Sequence, residues 1–310
     1  MKITDLIREF RIEETDLMDF LIREGIQFND DGILPPRTES RVLDFIERDT
    51  TRLYRALQIY PPFYSSEDGV VKIFRDDAVS FLEKLPPRSV DIIVTDPAYS
   101  GMNNKMQFGN GRIVGQYSDK GTQNGKWFQE FEDSSENYSR FLKQCKRVLR
   151  NSTGHIYIMF DSFSLLSLGH IVRDYFDVKN IITWDKVNIG MGNYYRRRHE
   201  YIIFATSGNK RKLRDRTFPD VWQIKRIHNA PYPTQKPVEL FGKMLCASAE
   251  DGYVVCDPFL GSGSAAIAAL IHNCRFIGCD ISEKSVEISR HRILEFINNG
   301  IDPIQNIPKI

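Results

Sequence analysis

Asp96, Pro97 and Tyr99 stand together in DIIVTDPAYSG (Asp91–Gly101), where an apolar, mostly β-branched run ends in an acid, a proline, a small residue, an aromatic and a glycine. Such a run reads as a strand buried on both faces of a parallel sheet. Packing alone gives that strand no reason to end in a carboxylate and a phenol. Read in isolation, Asp96-Pro97 suits a strand-ending turn just as well as a catalytic pair.

A second stretch, VVCDPFLGSGSAAIAAL (Val254–Leu270), has a strand ending in Asp257, then Phe259, the glycines Gly261 and Gly263, and a helix of small residues. Glycines there let the backbone pass close to a ligand, and the helix N-terminus offers free N–H groups. RFIGCD comes next, a strand whose final Asp280 is placed to accept hydrogen bonds from ribose hydroxyls. Gly261-x-Gly263-x-x-Ala266 with Asp280 downstream also fits a dinucleotide fingerprint, so an NAD-dependent oxidoreductase competes as a reading. Position argues against it. Only 47 residues follow Gly263, too few to complete a doubly wound sheet, so the missing strands must come from upstream.

These residues need a scaffold, and the texture from residue 69 onward supplies one. Strand-like runs (GVVKIFR, VDIIVTD, GHIYIMF, NIITWDK, EYIIFAT, GYVVCD, CRFIGCDI) are separated mostly by helix-like ones, which predicts an α/β sheet covered on both faces. Active sites in such sheets lie beyond the carboxyl ends of the strands. The stretch from Ser100 to Lys126 holds six glycines and no clear period, the mark of a functional or mobile loop. Residues 1–60 read instead as a small all-helical domain, with Thr4 and Thr15 as N-caps, Gly25 as a stop, and one helix over TESRVLDFIERDTTRLYRAL. That leaves 61–310 as the second domain.

Composition narrows the classes. The chain has 310 residues, 41% hydrophobic and 27% charged, which is ordinary for a soluble globular protein. No apolar run is long enough to cross a bilayer, and the first residues lack a signal core, so a cytoplasmic location with no membrane partner is expected. The five cysteines form no CxxC pair, which predicts reduced, mostly buried thiols and no metal. His199 and Glu200 suit hydrogen bonding at a strand end, and Trp127, Trp184 and Trp222 suit packing. Net charge is +1, yet Tyr194–His228 carries ten basic residues against three acids. The resulting +7 suggests a surface for a polyanion, with Arg196, Arg197, Arg198, Lys210, Arg211 and Lys212 as its contacts within a basic 196–230 segment, though a solvated charged loop fits the charge count as well.

The order of the motifs, TDPAYSG first, then HEYIIFA, PTQKP and DPFLGSGS, resembles the β-class of amino-group DNA methyltransferases over roughly residues 69–297. The resemblance implies a permuted, seven-stranded Rossmann-like methyltransferase sheet, with S-adenosylmethionine as cofactor and DNA as partner. It implies transfer of a methyl group to an exocyclic base amine, adenine N6 ahead of cytosine N4, with an RNA base as a further alternative. Asp96 and the Pro97 carbonyl would accept the amine's N–H bonds, and Tyr99 would stack on the flipped base. Asp257, Phe259, Gly261, Gly263 and Asp280 would hold the cofactor, Asp77 would approach its adenine, and Thr234 and Lys236 its methionyl end. Ala98 replaces the commoner second proline, and the span between HEYIIFA and PTQKP is short for a target-recognition region. A silent nucleic-acid-binding module is the remaining alternative. The helical segment looks like the small modules at the N-terminus of bacterial translation initiation factor two, and its acidic balance suits docking or homodimer formation rather than phosphate binding.

Overall fold

A computed structural model describes residues 1–49, 51–97, 134–190, 194–209, 211–227, 232 and 235–308. The chain opens with helices α1 (Ile3–Phe10), α2 (Glu14–Arg23), α3 (Glu39–Arg48) and α4 (Thr51–Gln58). α1 buries Ile3, Leu6 and Phe10, one face of a 3.6-residue period, each side chain contributing about 2 kcal/mol. They meet Leu17, Leu21, Val42 and Ile46 in a core separate from those of the sheet. Thr4 and Thr15 are not caps: both lie inside the first turn, and neither helix has a side-chain cap. Gly25 does stop α2, with φ at +61°. The long helix expected over 38–57 is two helices, because the Asp49 carboxylate accepts from the backbone N–H and the hydroxyl of Thr51 and starts α4 afresh. α4 leaves the small core, and its Leu53 and Leu57 pack beside the sheet. Its buried Arg52 donates to the carbonyls of Phe10 (3.2 Å) and Pro87 (3.1 Å), pinning the first helices to the segment around Pro87.

The remaining chain runs β1 (Tyr64–Ser65), β2 (Val71–Arg75), α5 (Ala78–Lys84), β3 (Ile92–Thr95), α6 (Ser135–Val148), β4 (His155–Phe160), α7 (Ser162–Leu168), α8 (Val172–Tyr175), β5 (Asp177–Asp185), β6 (His199–Thr206), β7 (Val221–Gln223), α9 (Val238–Ser248), β8 (Val254–Asp257), α10 (Ser264–Ile271), β9 (Arg275–Asp280) and α11 (Glu283–Asn299). Among the described residues the sheet has nine strands, in the order β1-β2-β9-β8-β3-β4-β6-β5-β7. Its seven middle strands match the expected sheet; β1 and β7 extend the two edges and are only two and three residues long. Strands β2, β9, β8, β3 and β4 are parallel, and β6 runs antiparallel between β4 and β5.

Alternation places Ile92 and Val94 in one buried cluster and Ile93 in the other, on the opposite face of the sheet. On the first face the small residues of α10 (Ala265, Ala266, Ala268, Ala269) pack with Val71 and Phe276. Trp184 and Trp222 are buried there, as packing residues. Four of the five cysteines are buried thiols and Cys246 is exposed.

Candidate active site

Because β3, β8 and β9 are parallel, their carboxyl ends present Asp96, Asp257 and Asp280 along one edge. β6 enters the sheet from that same edge, so its first residues, His199 and Glu200, arrive beside them. Lys236, just before α9, forms an ion pair with Asp96 Oδ2 and lies 3.6 Å from Glu200 Oε2. Lys186 reaches Glu200 Oε1 at 2.8 Å. Two ammonium groups and two carboxylates therefore alternate in one chain of contacts. Burial raises the Asp96 carboxyl, and the Lys236 charge only partly offsets it. Burial would also raise Glu200, but the charges of Lys236 and Lys186 bring it below its ordinary value. Lys236, despite its own desolvation, is held protonated by both carboxylates. Asp96 Oδ1 takes no hydrogen bond from the described residues.

The glycine-rich turn lies next along the edge. Gly261 and Gly263 have φ of +52° and +78°, a backbone that L side chains rarely adopt. Asp280 shapes the turn, accepting from Gly261 N–H at 2.9 Å and from Ser282 N–H at 2.9 Å. With the Ser285 side chain as a third partner, the two carboxylate oxygens still keep one acceptor position for a ribose hydroxyl. Asp257 accepts from Phe259 N–H at 3.0 Å, and burial lifts its carboxyl to about 8. From below, buried Arg292 pairs with Asp302 at 2.8 and 2.7 Å and donates to Ser262 O (3.0 Å) and Ser264 Oγ (2.9 Å). The Ser264 hydroxyl in turn donates to the Lys236 carbonyl at 2.8 Å, tying the turn to the ion-pair chain.

The fit to an adenosyl-amino-acid cofactor rests on two observations. The turn brings backbone close to any ligand at this edge, and the Gln235 amide, next to Lys236, is buried with neither its oxygen nor its nitrogen hydrogen-bonded. Among the described residues, no group of His, Cys, Asp and Glu is arranged to hold a metal ion.

Several sequence expectations need correction. Arg211 does not face a polyanion. Its guanidinium donates to the carbonyls of Thr153 (2.6 Å), Ser248 and Asp91 (3.2 Å), at the amino ends of β3 and β4. Arg214 N–H bonds Ala247 O at 2.7 Å, at the far end of α9, an 11-residue helix and so about 16 Å along from Lys236. Lys212 is exposed between them, away from Asp96. Arg196, Arg197 and Arg198 do flank the site, immediately before β6. Arg196 donates to Gly190 O at 2.7 Å, Arg197 lies over the Phe163 ring, and Arg198 makes a bidentate pair with Asp185. Tyr194 and Tyr195 beside them are fully exposed. Asp77 caps α5, accepting from Val79 and Ser80 N–H at 3.0 and 3.1 Å. Lys236, expected at the cofactor's methionyl end, sits on Asp96. Tyr99, Thr234 and Lys210 lie outside the described residues. Lys186, Arg292 and Asp302 were not singled out by sequence; no local motif marks them, since their partners are brought by the fold. Glu200 was read only as a strand-end hydrogen-bonding residue.

A sequence model described as DNA methylase matches residues 90–291. The chain is 27% identical over 263 residues to the type II methyltransferase M2.DpnII of Streptococcus pneumoniae, covering 77% of this chain and 95% of that one. It is 28% identical over 215 residues to the type II methyltransferase M.HhaII of Haemophilus parahaemolyticus, covering 66% and 88%. Among solved structures it resembles the PvuII DNA methyltransferase, described as cytosine-N4-specific (TM-score 0.57, 14% identity, 77% of this chain and 94% of that one). It also resembles M1.HpyAVI in complex with SAM (TM-score 0.51, 19% identity, 72% and 99%). At those identities the structural likenesses speak for the fold.

Proposed function

This chain belongs to the DNA methylase family, and from that premise we propose that Asp96 is the residue on which its methyl transfer turns, with adenine N6 as the acceptor. The chain is an S-adenosylmethionine-dependent DNA amino-methyltransferase, which sets aside the dinucleotide-oxidoreductase and silent-module readings. When bound, the cofactor supplies a methyl group already activated by its sulfonium. The difficulty lies in the acceptor, because an exocyclic amine has its lone pair delocalised into the base ring. Asp96 Oδ1 and the Pro97 carbonyl accept its two N–H bonds, draw the nitrogen out of plane and stabilise the positive charge that develops on it. Tyr99 stacks on the base once it has left the duplex. Gly261, Gly263, Phe259, Asp257 and Asp280 hold the cofactor, with Asp77 approaching its adenine and Thr234 and Lys236 near its methionyl end.

The observation that supports this reading best is the state of Asp96 at the end of β3: one oxygen is paired with Lys236, and the other takes no hydrogen bond from the described residues. A carboxylate is a strong, charge-assisted acceptor. Arg196–Arg198, with Tyr194 and Tyr195, form the DNA-facing surface around it. Among the described residues no helix is long and apolar enough to cross a membrane, and we place the enzyme in the cytoplasm with its DNA. The acidic helical module at the N-terminus serves docking or homodimer formation. The test is to methylate unmodified DNA with labelled S-adenosylmethionine, digest to nucleosides and identify the labelled species by mass spectrometry. N6-methyldeoxyadenosine is expected. N4-methyldeoxycytidine would overturn the base, and label confined to RNA would overturn the substrate.

A further inference from the structure

We propose that Glu200 is a positioning residue that shares Lys236 with Asp96, so that the ammonium shifts toward Glu200 as the target amine docks. The proposal rests on the reading of Asp96 as the amine's acceptor. Glu200 is itself anchored, with Oε1 on Lys186 at 2.8 Å and Oε2 facing Lys236 at 3.6 Å. Lys236 is mostly buried and contacts both carboxylates, the closer being Asp96. In this resting arrangement the ammonium sits on Oδ2 and draws charge from the carboxylate whose Oδ1 is to accept the amine. A cation fixed on Asp96 opposes the second positive charge that grows on the amine nitrogen, and it weakens Asp96 as an acceptor. Closing the remaining gap to Glu200 takes a movement of about 1 Å by a flexible side chain with three donors. Lys186 keeps Glu200 in place to receive it. The four side chains Lys186, Glu200, Lys236 and Asp96 sum to zero charge before and after, so the shift needs no proton to enter or leave.

Other charges face these groups as well. Asp257 at the end of β8 and Tyr232 beside the glycine turn interact with Asp96, and Asp161 at the start of α7 interacts with Glu200. All are unchanged in a Glu200→Gln variant, so the difference reports on Glu200. In that variant Lys236 has only Asp96 to pair with. Turnover should fall roughly 10- to 100-fold, the scale of a 1 Å misplacement at a reacting group. The acid limb of its pH–rate profile should move to lower pH, because Asp96 has lost a neighbouring negative charge.

The experiment measures kcat against pH for wild type, E200Q, E200D, K236M and the double variant, with S-adenosylhomocysteine affinity by calorimetry on each. The expected pattern is a slow E200Q with near-normal S-adenosylhomocysteine affinity, partial recovery in E200D, and no further loss from E200Q in the K236M background. E200Q turning over like the wild type, or losing rate equally with and without Lys236, would overturn the proposal. So would equal loss of S-adenosylhomocysteine binding and turnover, the mark of a merely structural role. A wild type that binds S-adenosylhomocysteine but methylates no base would instead overturn the reading of Asp96, and the role of Glu200 with it.

Discussion

Asp257 is 2% exposed at the carboxyl end of β8, and burial lifts its carboxyl from 3.8 to about 8 even though Phe259 N–H donates to it. The folded protein keeps a proton there through a pH range in which the unfolded chain has lost it. Raised folded-state affinity for a proton means stability that is full below about pH 4 and falls as the pH climbs to about 8, then stays constant. At 1.36 kcal/mol per pH unit, the rise from 3.8 to about 8 corresponds to about 6 kcal/mol, an upper bound because an ionised buried site relaxes. Asp257→Asn retains an oxygen to accept from Phe259 and carries no charge at any pH. Urea unfolding at pH 5, 7 and 8.5 should therefore show the variant gaining on the wild type with rising pH, by about 3 kcal/mol or more across the series. Asp96 and Asp280 also sit above their ordinary values but are common to both proteins and cancel in the difference. A stability difference that is flat between pH 5 and 8.5 would refute the buried, protonated Asp257.

The arginines divide into two classes with opposite signatures. Arg211→Met should destabilise the fold by about 2–4 kcal/mol in denaturant melts, since three carbonyls lose their donor, while leaving the salt dependence of DNA binding unchanged. Arg196→Ala and Arg197→Ala should each flatten the log–log salt slope of DNA binding by about 0.9 with little change in stability. Arg292→Met strands Asp302, which is 0% exposed, and should remove about 3–5 kcal/mol of stability together with S-adenosylhomocysteine binding measured by calorimetry. Gly263→Ala places a Cβ 3.2 Å from Ser289 at a φ of +78°, and should lower stability by about 1–2 kcal/mol while weakening the same ligand.

The sheet was readable because buried parallel strands are written as short apolar β-branched runs, and because an alanine-rich helix after a glycine turn has few other meanings. The short strands at the edges have no such period: Val221–Gln223 is two exposed residues around one buried tryptophan. The ion-pair chain was unreadable for a different reason. Asp96 and Lys236 are 140 residues apart, and only the antiparallel entry of β6 brings Glu200 up to Lys236. Arg211 was misread because a run of basic residues looks the same whether its side chains meet solvent or backbone carbonyls. The helix break at Asp49 depends on one side-chain acceptor, which a hydrophobic pattern does not register.

Strands β2 and β3 are neighbours in the chain but stand apart in the sheet, with β9 and β8 filling the space of about 14 Å between them. On the ribosome, then, β2 and β3 emerge around a slot that stays vacant until β8 and β9 follow. Asp96 is made well before the glycine turn. A nascent chain that has not reached β8 exposes the unpaired edges of β2 and β3 and has no glycine turn, so translation itself delays enzyme action until that turn has emerged. Moving the termini to between β7 and α9 would lay β8 and β9 down before β2 and β3, and should let the turn form while synthesis is still under way.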